Sequence, residues 1–527
     1  MSVESKILFN DLPTEIIFHI FDYLSNNDII YTFFYLNQRL NNVLLNNKRY
    51  LNYFELPTTN ISIWKNILSN IVSQIEILNI STIDITFQLS LFPNLKSIII
   101  SSSHGFPDEE LISIIECDIF KYLHCLIIKE NKIFPDPVSE NFIIKQNIIL
   151  KKIFNYKNSL KTFQYSSVIP PLAQTDINTF QIYISLYSLT LILTDFKDIY
   201  SVIFYTPNLK YLNIQCESPY QHHNPIININ IKLKQFYLKL IQKLSPSYGR
   251  RPFQIDFNQL FNCIKQFSSS LVCLSLDFVE LNIETEDEFP FNSIKLQQLL
   301  ESMRELKNFY LYAKLYTNSY NANHILSKFK NQYYLDHNLS FGMHLNYFYT
   351  LPFHFDHLYE IYNNFNDIKS NHPEILKTNL KLWFYVKTID LSSKLIYDFN
   401  FIKELKIKMP KLMRIKFNEY YFHFSNKKQK LNERPIICFD SITTVHLNNN
   451  DSMETEKDWF IDRLPKLKHL ILSWIDLPTT ESHLIDILNK SIQQLDIDTD
   501  RVIQPLATTN YIYFSNVMHI NFNCDCT

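Results

Sequence analysis

A short pattern, apolar-x-x-apolar-x-apolar, recurs through most of this 527-residue chain and constrains its fold more than any other feature. Successive copies start mostly about 20 to 30 residues apart, a spacing typical of stacked repeats rather than of one compact core. The copies begin at Ile75, Leu95, Leu123, Leu160, Leu186, Leu209, Leu233, Leu271, Leu306, Val386, Leu412, Ile442, Leu467, Ile492 and Val517. We therefore expect an array of similar units, each burying its apolar side against its neighbours.

Each copy of the pattern predicts a short strand, because its last apolar residues alternate with residues that point to the other face. Helix-like segments lie between copies, for example residues 198–205. A proline that cannot continue a helix often introduces the next copy, as Pro207 and Pro410 do. The order helix, proline, strand predicts an α/β repeat with parallel strands.

The composition limits the classes of function. With 46% hydrophobic residues the chain must bury a large apolar surface and is predicted to be folded. Its three glycines, Gly105, Gly249 and Gly342, are isolated, so no glycine-rich loop is present to hold a nucleotide phosphate. The net charge is −2, and lysine and arginine are spread along the chain. We therefore expect no nucleic acid and no membrane surface as a partner.

Candidate metal ligands and catalytic residues are few. His354 and His357 could supply ligands, but no second matched pair follows, and Cys524-x-Cys526 lacks the spacing of zinc sites. No nucleophile or metalloprotease motif is found. We expect no metal, no cofactor and no enzymatic activity. The eight cysteines form no small-domain framework and the N-terminus does not resemble a signal peptide, so we expect a cytoplasmic or nuclear protein.

The N-terminal segment, residues 8–53, predicts three short helices. Asp11 and Pro13 provide a helix start, and further breaks follow at Ser25 and Asn37. The first helix carries one apolar stripe, made of Ile16, Ile17, Ile20, Phe21 and Leu24. Three short helices bury little surface by themselves, so this segment needs cover from a partner or from the rest of the chain.

The same residues resemble an F-box. The resemblance is carried by Leu12-Pro13-x-Glu15-Ile16-x-x-x-Ile20-Phe21-x-Tyr23-Leu24-Ser25-x-x-Asp28-Ile29 and by Leu36-Asn37-x-Arg39-Leu40-Asn41. In that family the motif docks on the Skp-type adaptor of cullin-based ubiquitin ligases. The resemblance implies that the docking residues are Leu12, Pro13, Ile16, Ile20, Phe21 and Leu24. A helical cap on the repeat array is the structural alternative.

The array resembles the leucine-rich repeats of F-box proteins. It lacks the asparagine ladder of regular leucine-rich repeats, so we expect an irregular solenoid with a parallel sheet on its concave face. The predicted organisation is an F-box-like helical domain at 1–55, a connecting helical segment at 56–74 and the solenoid at 75–527. Residues 313–385 fit the pattern poorly and are interpreted as an insertion or as degenerate repeats.

The residues between the apolar positions of each strand are predicted to line the concave face and to bind a protein. Tyrosine supplies rigid contact area with a polar tip, which favours such a role. We therefore expect the target-binding surface to include Tyr211, Tyr237, Tyr310 and Tyr312. With 32 tyrosines in the chain, some would also face outward by chance.

The favoured function is that of a substrate-recognition subunit of a cullin-type ubiquitin ligase. The resemblance implies two partners, a Skp-type adaptor held by the N-terminal motif and an unknown protein substrate held by the repeats. Such a subunit acts by raising the local concentration of its substrate at the ligase. The alternative is a scaffold whose repeats bind a partner and whose helices serve stability only.

Overall fold

The structure, a computed structural model, describes most of the repeat strands and the helices that precede many of them. The described residues are 9, 12–34, 36–56, 61–81, 89–102, 108–130, 150–151, 153–154, 159–167, 182–195, 198–218, 231–241, 257–283, 292–315, 321–361, 365–378, 381–391, 399–417, 441–447, 464–473, 492, 494–499 and 519–524. The basic run at 427–430, interpreted from the sequence as a solvated loop, lies outside these residues.

Helices lie between strands in several of the described repeats, as the sequence predicts. The helices are α1 (Thr14–Phe21), α2 (Asn26–Phe33), α3 (Gln38–Leu45), α4 (Lys48–Leu51), α5 (Ile61–Ile71), α6 (Asp108–Glu116), α7 (Asp198–Tyr205), α8 (Phe257–Lys265), α9 (Ser293–Glu301), α10 (Ala322–Ser327), α11 (Gln332–Asp336), α12 (Pro373–Thr378) and α13 (Phe399–Lys408). Short 3-10 helices occupy Val72–Gln74, Leu89–Leu91, Asp118–Tyr122 and Phe365–Asp367.

The strands are numbered in chain order. They are β1 (Tyr53–Glu55), β2 (Ile77–Ile80), β3 (Ser97–Ser102), β4 (Cys125–Glu130), β5 (Thr162–Ser167), β6 (Ser188–Asp195), β7 (Tyr211–Ser218), β8 (Gln235–Ile241), β9 (Cys273–Ile283), β10 (Asn308–Leu315), β11 (Ser340–His344), β12 (Tyr347–Leu351), β13 (His357–Ile361), β14 (Lys369–Ser370), β15 (Thr388–Leu391), β16 (Arg414–Phe417), β17 (Thr444–Leu447), β18 (His469–Ser473), β19 (Gln494–Thr499) and β20 (His519–Cys524). By packing, the chain divides into a first unit, 1–239 with 262–273, and a second unit, 240–261 with 274–527.

Side-chain caps define the helices at the N-terminus of the first unit. The Ser25 side chain accepts a hydrogen bond from the Asp28 amide at the start of α2, and Asn37 accepts one from the Leu40 amide at the start of α3. These are the two positions at which the sequence predicts breaks, because serine and asparagine are favoured helix N-caps. The helices enclose a small apolar core that includes Ile17.

The first strand, β1, lies directly after these helices, within the segment that the sequence assigns to the helical domain. Its inner edge pairs in parallel with β2. Its outer edge is covered by α2, where the Asn26 side chain donates to the Tyr53 carbonyl at 3.0 Å and the Asn27 side chain donates to the Glu55 carbonyl at 2.6 Å. Side-chain amides thus take the place of a further strand.

The strands of the first unit lie in chain order in one sheet, and β1 to β7 are parallel. The second apolar residue of each repeat pattern is aligned with that of the next repeat. This buried row comprises Leu78, Ile98, Leu126, Phe163, Leu189 and Leu212. The sequence prediction of strands at these copies, with parallel pairing, is confirmed.

The described strands of the second unit form parts of two sheets rather than one. In the first, β9 and β10 are followed by the hairpin β11–β12, and β10 pairs with β12 in the antiparallel direction. In the second, β13 and β15 to β20 are parallel and in chain order. The expectation of a single continuous parallel sheet is therefore wrong for this unit, because the hairpin ends one parallel run before the next begins at β13.

The hairpin lies in the segment 313–385 that fits the repeat pattern poorly. Its strands are buried on both faces, so they show no alternation that a sequence pattern could detect. Gly342 is aligned with Tyr349 across the hairpin, and the tyrosine ring lies over the glycine. A Cβ atom at Gly342 would be 2.5 Å from Cε2 of Tyr349 and 3.1 Å from Cδ1 of Leu351. The glycine is therefore required by the space that the ring occupies.

We expect Gly342→Ala to lower the free energy of unfolding of the second unit by about 1–3 kcal/mol, the usual cost of overpacking a core. Chemical denaturation of the two proteins measures the difference. In a Tyr349→Leu background the same glycine substitution is expected to cost less, because the ring that it meets is gone. Equal stability of the Gly342→Ala variant and the parent chain would contradict the close contact.

Candidate protein-binding surfaces

The helical segment presents part of its apolar stripe to solvent. On α1 and the turn after it, Ile16 is 43% exposed and Leu24 39% exposed, and Pro13 is exposed as well. Leu12 and Ile20 are half-buried. These five predicted docking residues are therefore accessible, wholly or in part.

Phe21, the sixth predicted docking residue, is fully buried. Its ring lies 5.0 Å from that of Phe33 and 5.4 Å from that of Tyr50, so it belongs to the core of the helical segment. In this conformation Phe21 packs α1 against the other helices and is not accessible to a partner. The apolar stripe predicted from the sequence contains both core residues and exposed residues. It is wider than the surface that packs against the other helices, so one edge of it stays exposed.

Three further large side chains are exposed nearby in the sequence. Tyr23 is 89% exposed, Leu36 60% and Tyr31 54%. Tyr23 and Leu36 are part of the F-box-like pattern, but they were not among the predicted docking residues. Single exposed apolar residues are ordinary, whereas several within one small helical segment favour a protein contact.

A groove of about 610 Å³ lies between α1 and α3. Its lining is mostly polar, with amide side chains along α3 and one arginine. The lining residues are Thr14, Phe18, Gln38, Arg39, Asn42, Val43, Asn46 and Asn47. Amides both donate and accept hydrogen bonds, so this groove offers partners for the backbone of a bound peptide.

In the first unit, the structure brings two of the predicted tyrosines together. The rings of Tyr211 on β7 and Tyr237 on β8 lie 5.3 Å apart, and both side chains are half-buried. The Cys273 thiol donates a weak hydrogen bond to the Tyr237 hydroxyl, at 3.6 Å. Burial raises the pKa of Cys273 and that of Tyr211, so both groups stay protonated at neutral pH. A protonated thiol is a poor nucleophile.

Around the two tyrosines this face is polar and largely uncharged. Along β5 to β8 most residues between buried positions offer hydroxyl or amide groups that are partly or fully accessible, whereas the corresponding positions of β3 and β4 include Ile99 and Ile127. The polar positions include Thr162, Gln164, Ser188, Thr190, Asn213 and Gln235. Such groups can donate and accept hydrogen bonds without the desolvation cost of buried charge, as a protein-binding face requires.

Tyr310 of the second unit lies in a different setting. Its ring is 4.2 Å from that of His354, which in turn stacks on Tyr385 at 4.5 Å. Burial lowers the pKa of His354, so its ring is neutral in this stack. From the sequence, Tyr310 and His354 belong to separate candidate sites, but in the structure their rings are in contact.

Tyr312 is 1% exposed, so its predicted place on a binding face is wrong. Its ring packs against those of Phe353 at 4.9 Å and Phe355 at 5.3 Å, and its hydroxyl oxygen accepts a hydrogen bond from the Tyr359 amide at 2.9 Å. Alternation along β10 correctly places Tyr312 on the same face as Tyr310. Residues of the segment 313–385, which fits the repeat pattern poorly, cover that part of the face.

The same region holds a buried histidine. The His344 Nε2 atom lies 3.2 Å from the Tyr359 carbonyl and its Nδ1 atom lies 3.0 Å from the Tyr349 hydroxyl. A carbonyl only accepts, so Nε2 carries the proton and Nδ1 accepts from the tyrosine. Burial lowers the pKa of His344 to about 4, which keeps the ring neutral at physiological pH.

His357, the second candidate metal ligand, is paired with a carboxylate. Its Nε2 atom is 2.8 Å from Oδ1 of Asp390, which is almost fully buried. No group of three or more histidine, cysteine or acidic side chains that could hold a metal ion is found among the described residues. Cys526 lies outside them. Within the same residues, no helix has the length and apolar character needed to cross a membrane.

No protein-family model and no curated protein sequence matches the chain. Among solved structures, a leucine-rich-repeat protein of Leptospira interrogans matches with 13% sequence identity and a TM-score of 0.24. The match covers 83% of this chain and 100% of that chain. The repeat architecture itself follows from the strand pairing described above.

Proposed function

We propose that this protein is a substrate-recognition subunit of a cullin-type ubiquitin ligase. The N-terminal helices bind a Skp-type adaptor, and the repeat sheets hold a target protein. The observation that carries the proposal is the exposed apolar edge of the helical segment, centred on Ile16 and Leu24. These residues occupy positions of the F-box-like pattern, and no other described element covers them.

The energetics are consistent with a docking role for this edge. Burying an exposed leucine or isoleucine side chain against a partner contributes about 1.5–3 kcal/mol. A few such residues at the centre of an interface carry most of its binding free energy. The repeat sheets then need only a moderate affinity for the target, because the ligase acts by proximity.

A second candidate function is that of a scaffold, in which the helices only cap the repeats. The hydrogen bonds from Asn26 and Asn27 to the outer edge of β1 favour it, because they give α2 a structural task. They do not account for the exposed edge, which lies on α1 and the turn after it. The two functions therefore differ in what Ile16 and Leu24 contact.

We expect the double variant Ile16→Asp and Leu24→Asp to reduce capture of a co-expressed Skp-type adaptor by tenfold or more, since about 1.4 kcal/mol suffices for each factor of ten. Both side chains are exposed in the free chain, so the helical segment should still fold. Co-purification with the full-length chain, quantified against input, measures the loss.

A matched control replaces two exposed apolar residues of the second unit, Ile294→Asp with Leu335→Asp. It carries the same change in charge and should capture the adaptor as the parent chain does. If the parent chain captures no adaptor, or if both double variants capture it as well as the parent, the ligase proposal fails. A repeat array that still binds a protein partner would then favour the scaffold.

A further inference from the structure

Basic side chains lie at or just before the start of three strands, β15, β16 and β18, in the second sheet of the second unit. Five of them are exposed, and we call this set the cationic rim: Lys387, Lys411, Arg414, Lys466 and Lys468. They belong to the segments that lead into β15, β16 and β18.

Backbone hydrogen bonds fix the spacing of the rim. The Met413 amide donates to the Lys387 carbonyl at 2.8 Å, the Thr443 amide to the Met413 carbonyl at 2.9 Å, and the Lys468 amide to the Thr443 carbonyl at 3.0 Å. These four residues thus occupy equivalent places in four neighbouring repeats. With about 4.8 Å between strands, the rim extends over about 14 Å.

Among the described residues, no carboxylate compensates the charge of the rim. Within the described part of the chain, none of the five cations forms an ion pair. By contrast, Lys96 at an equivalent place in the first unit pairs with Glu76 at 3.0 Å. Two acids lie in these repeats: Asp390 on β15 pairs with His357, and Asp356, just before β13, is exposed at one end of the row.

Exposed apolar side chains accompany the cations. Met413 is 46% exposed and Tyr385 is 42% exposed. The Lys411 ammonium lies 4.3 Å from the ring centre of Phe384 and 5.4 Å from that of Tyr385, and these contacts hold it in place. Arginine, tyrosine and methionine are enriched in protein–protein interfaces, whereas lysine is depleted, so Arg414, Met413 and Tyr385 are the residues of this surface that are typical of a protein contact.

We propose that the cationic rim binds an acidic segment of a partner protein in an extended conformation. Side chains on one side of an extended chain repeat every two residues, about 6.6 Å apart, so three carboxylates at alternate positions span about 13 Å. That length matches the row. A nucleic acid fits the surface less well, because the chain as a whole is net negative and the rim is short.

The inference rests on the proposed function in one respect, namely that the repeats hold the target protein. It names the chemistry by which the second sheet recognises that target, and it does not depend on the docking of an adaptor. A rim variant that loses its acidic ligand should still capture a Skp-type adaptor, so the two proposals fail separately.

The test uses the full-length chain and a fluorescent peptide of alternating glutamate and alanine, long enough to span the four repeats. The triple variant Lys387→Glu, Arg414→Glu and Lys468→Glu is expected to lower its affinity about tenfold or more, measured by fluorescence anisotropy at low salt. Raising the salt concentration should weaken binding to the parent chain, since the exposed charges are screened.

A matched control changes three exposed lysines away from the rim, Lys307→Glu, Lys328→Glu and Lys330→Glu, and should bind the peptide as the parent does. The neutral variant, with glutamine at the three rim positions, replaces the charge-reversed one if the latter does not fold. The proposal is overturned by no binding to the parent chain, or by equal binding to the rim and control variants. A single-stranded oligonucleotide that binds the rim more tightly than the peptide would also overturn it.

Discussion

Replacing Tyr312 by alanine is expected to lower the free energy of unfolding of the second unit by about 3–5 kcal/mol, the range for removing a fully buried aromatic ring. The ring contacts five other aromatic side chains, those of Tyr347, Tyr349, Phe353, Phe355 and Tyr359. The substitution also leaves the Tyr359 amide without its acceptor, and an unsatisfied buried donor costs about 1–3 kcal/mol.

The neighbouring Tyr310→Ala is the matched control, because it removes the same side chain from a half-buried place on the same strand. Tyr312→Phe keeps the ring and removes only the acceptor. Urea unfolding combined with amide hydrogen exchange on β10 should rank the three as Tyr312→Ala, then Tyr312→Phe, then Tyr310→Ala. A Tyr312→Ala variant that is as stable as the parent chain but loses a protein partner would show that Tyr312 lies on the binding surface and not in the core.

Acid is expected to destabilise the second unit through His344. Its pKa in the folded protein is about 4, below its value of 6.5 in an unfolded chain, so the unfolded state takes up the proton first. The stabilisation is complete above pH 6.5 and is lost as the pH falls from 6.5 towards 4. A pKa shift of this size lowers the free energy of unfolding by at most about 3 kcal/mol at the lower end of this pH window.

Unfolding free energies of the parent chain and of His344→Gln, measured across that pH window, isolate the histidine from carboxylates that titrate in both proteins. Glutamine can still donate to the Tyr359 carbonyl but takes up no proton. We expect the variant to be the less stable at neutral pH and the difference to shrink with acid. A difference that stays constant with pH would mean that His344 is not buried as a neutral ring.

The repeat pattern predicted the strands because the physical cause is local. Residues such as Phe163 and Leu189 alternate with polar neighbours, and the same alternation in the next repeat fixes the register. The strand β1 was missed because three residues are too few to match the pattern. The hairpin β11–β12 was missed because both of its faces are buried, which removes alternation altogether.

Prediction of the binding surfaces depended on what covers each face. Tyr211 and Tyr237 were assigned to one face, and the structure brings their rings together, because register alone decides that outcome. Tyr312 satisfied the same rule and is buried, because residues far along the chain pack over it. Phe21 and Ile16 lie on one stripe, and only the packing of the other helices separates the core residue from the exposed one.

The covered edge of β1 has a consequence for how the chain meets copies of itself. A parallel sheet made of repeats ends in a strand whose outer N–H and C=O groups could recruit another chain, and exposed edges of this kind lead to aggregation. The side chains of Asn26 and Asn27 donate hydrogen bonds to the Tyr53 and Glu55 carbonyls at that edge, so these carbonyls are not free to pair with another strand. In the second unit Tyr312 and His344 do the same for the amide and carbonyl of Tyr359 on β13. At the first strand of each sheet, side chains thus occupy some of the backbone groups that another chain would need for end-to-end polymerisation.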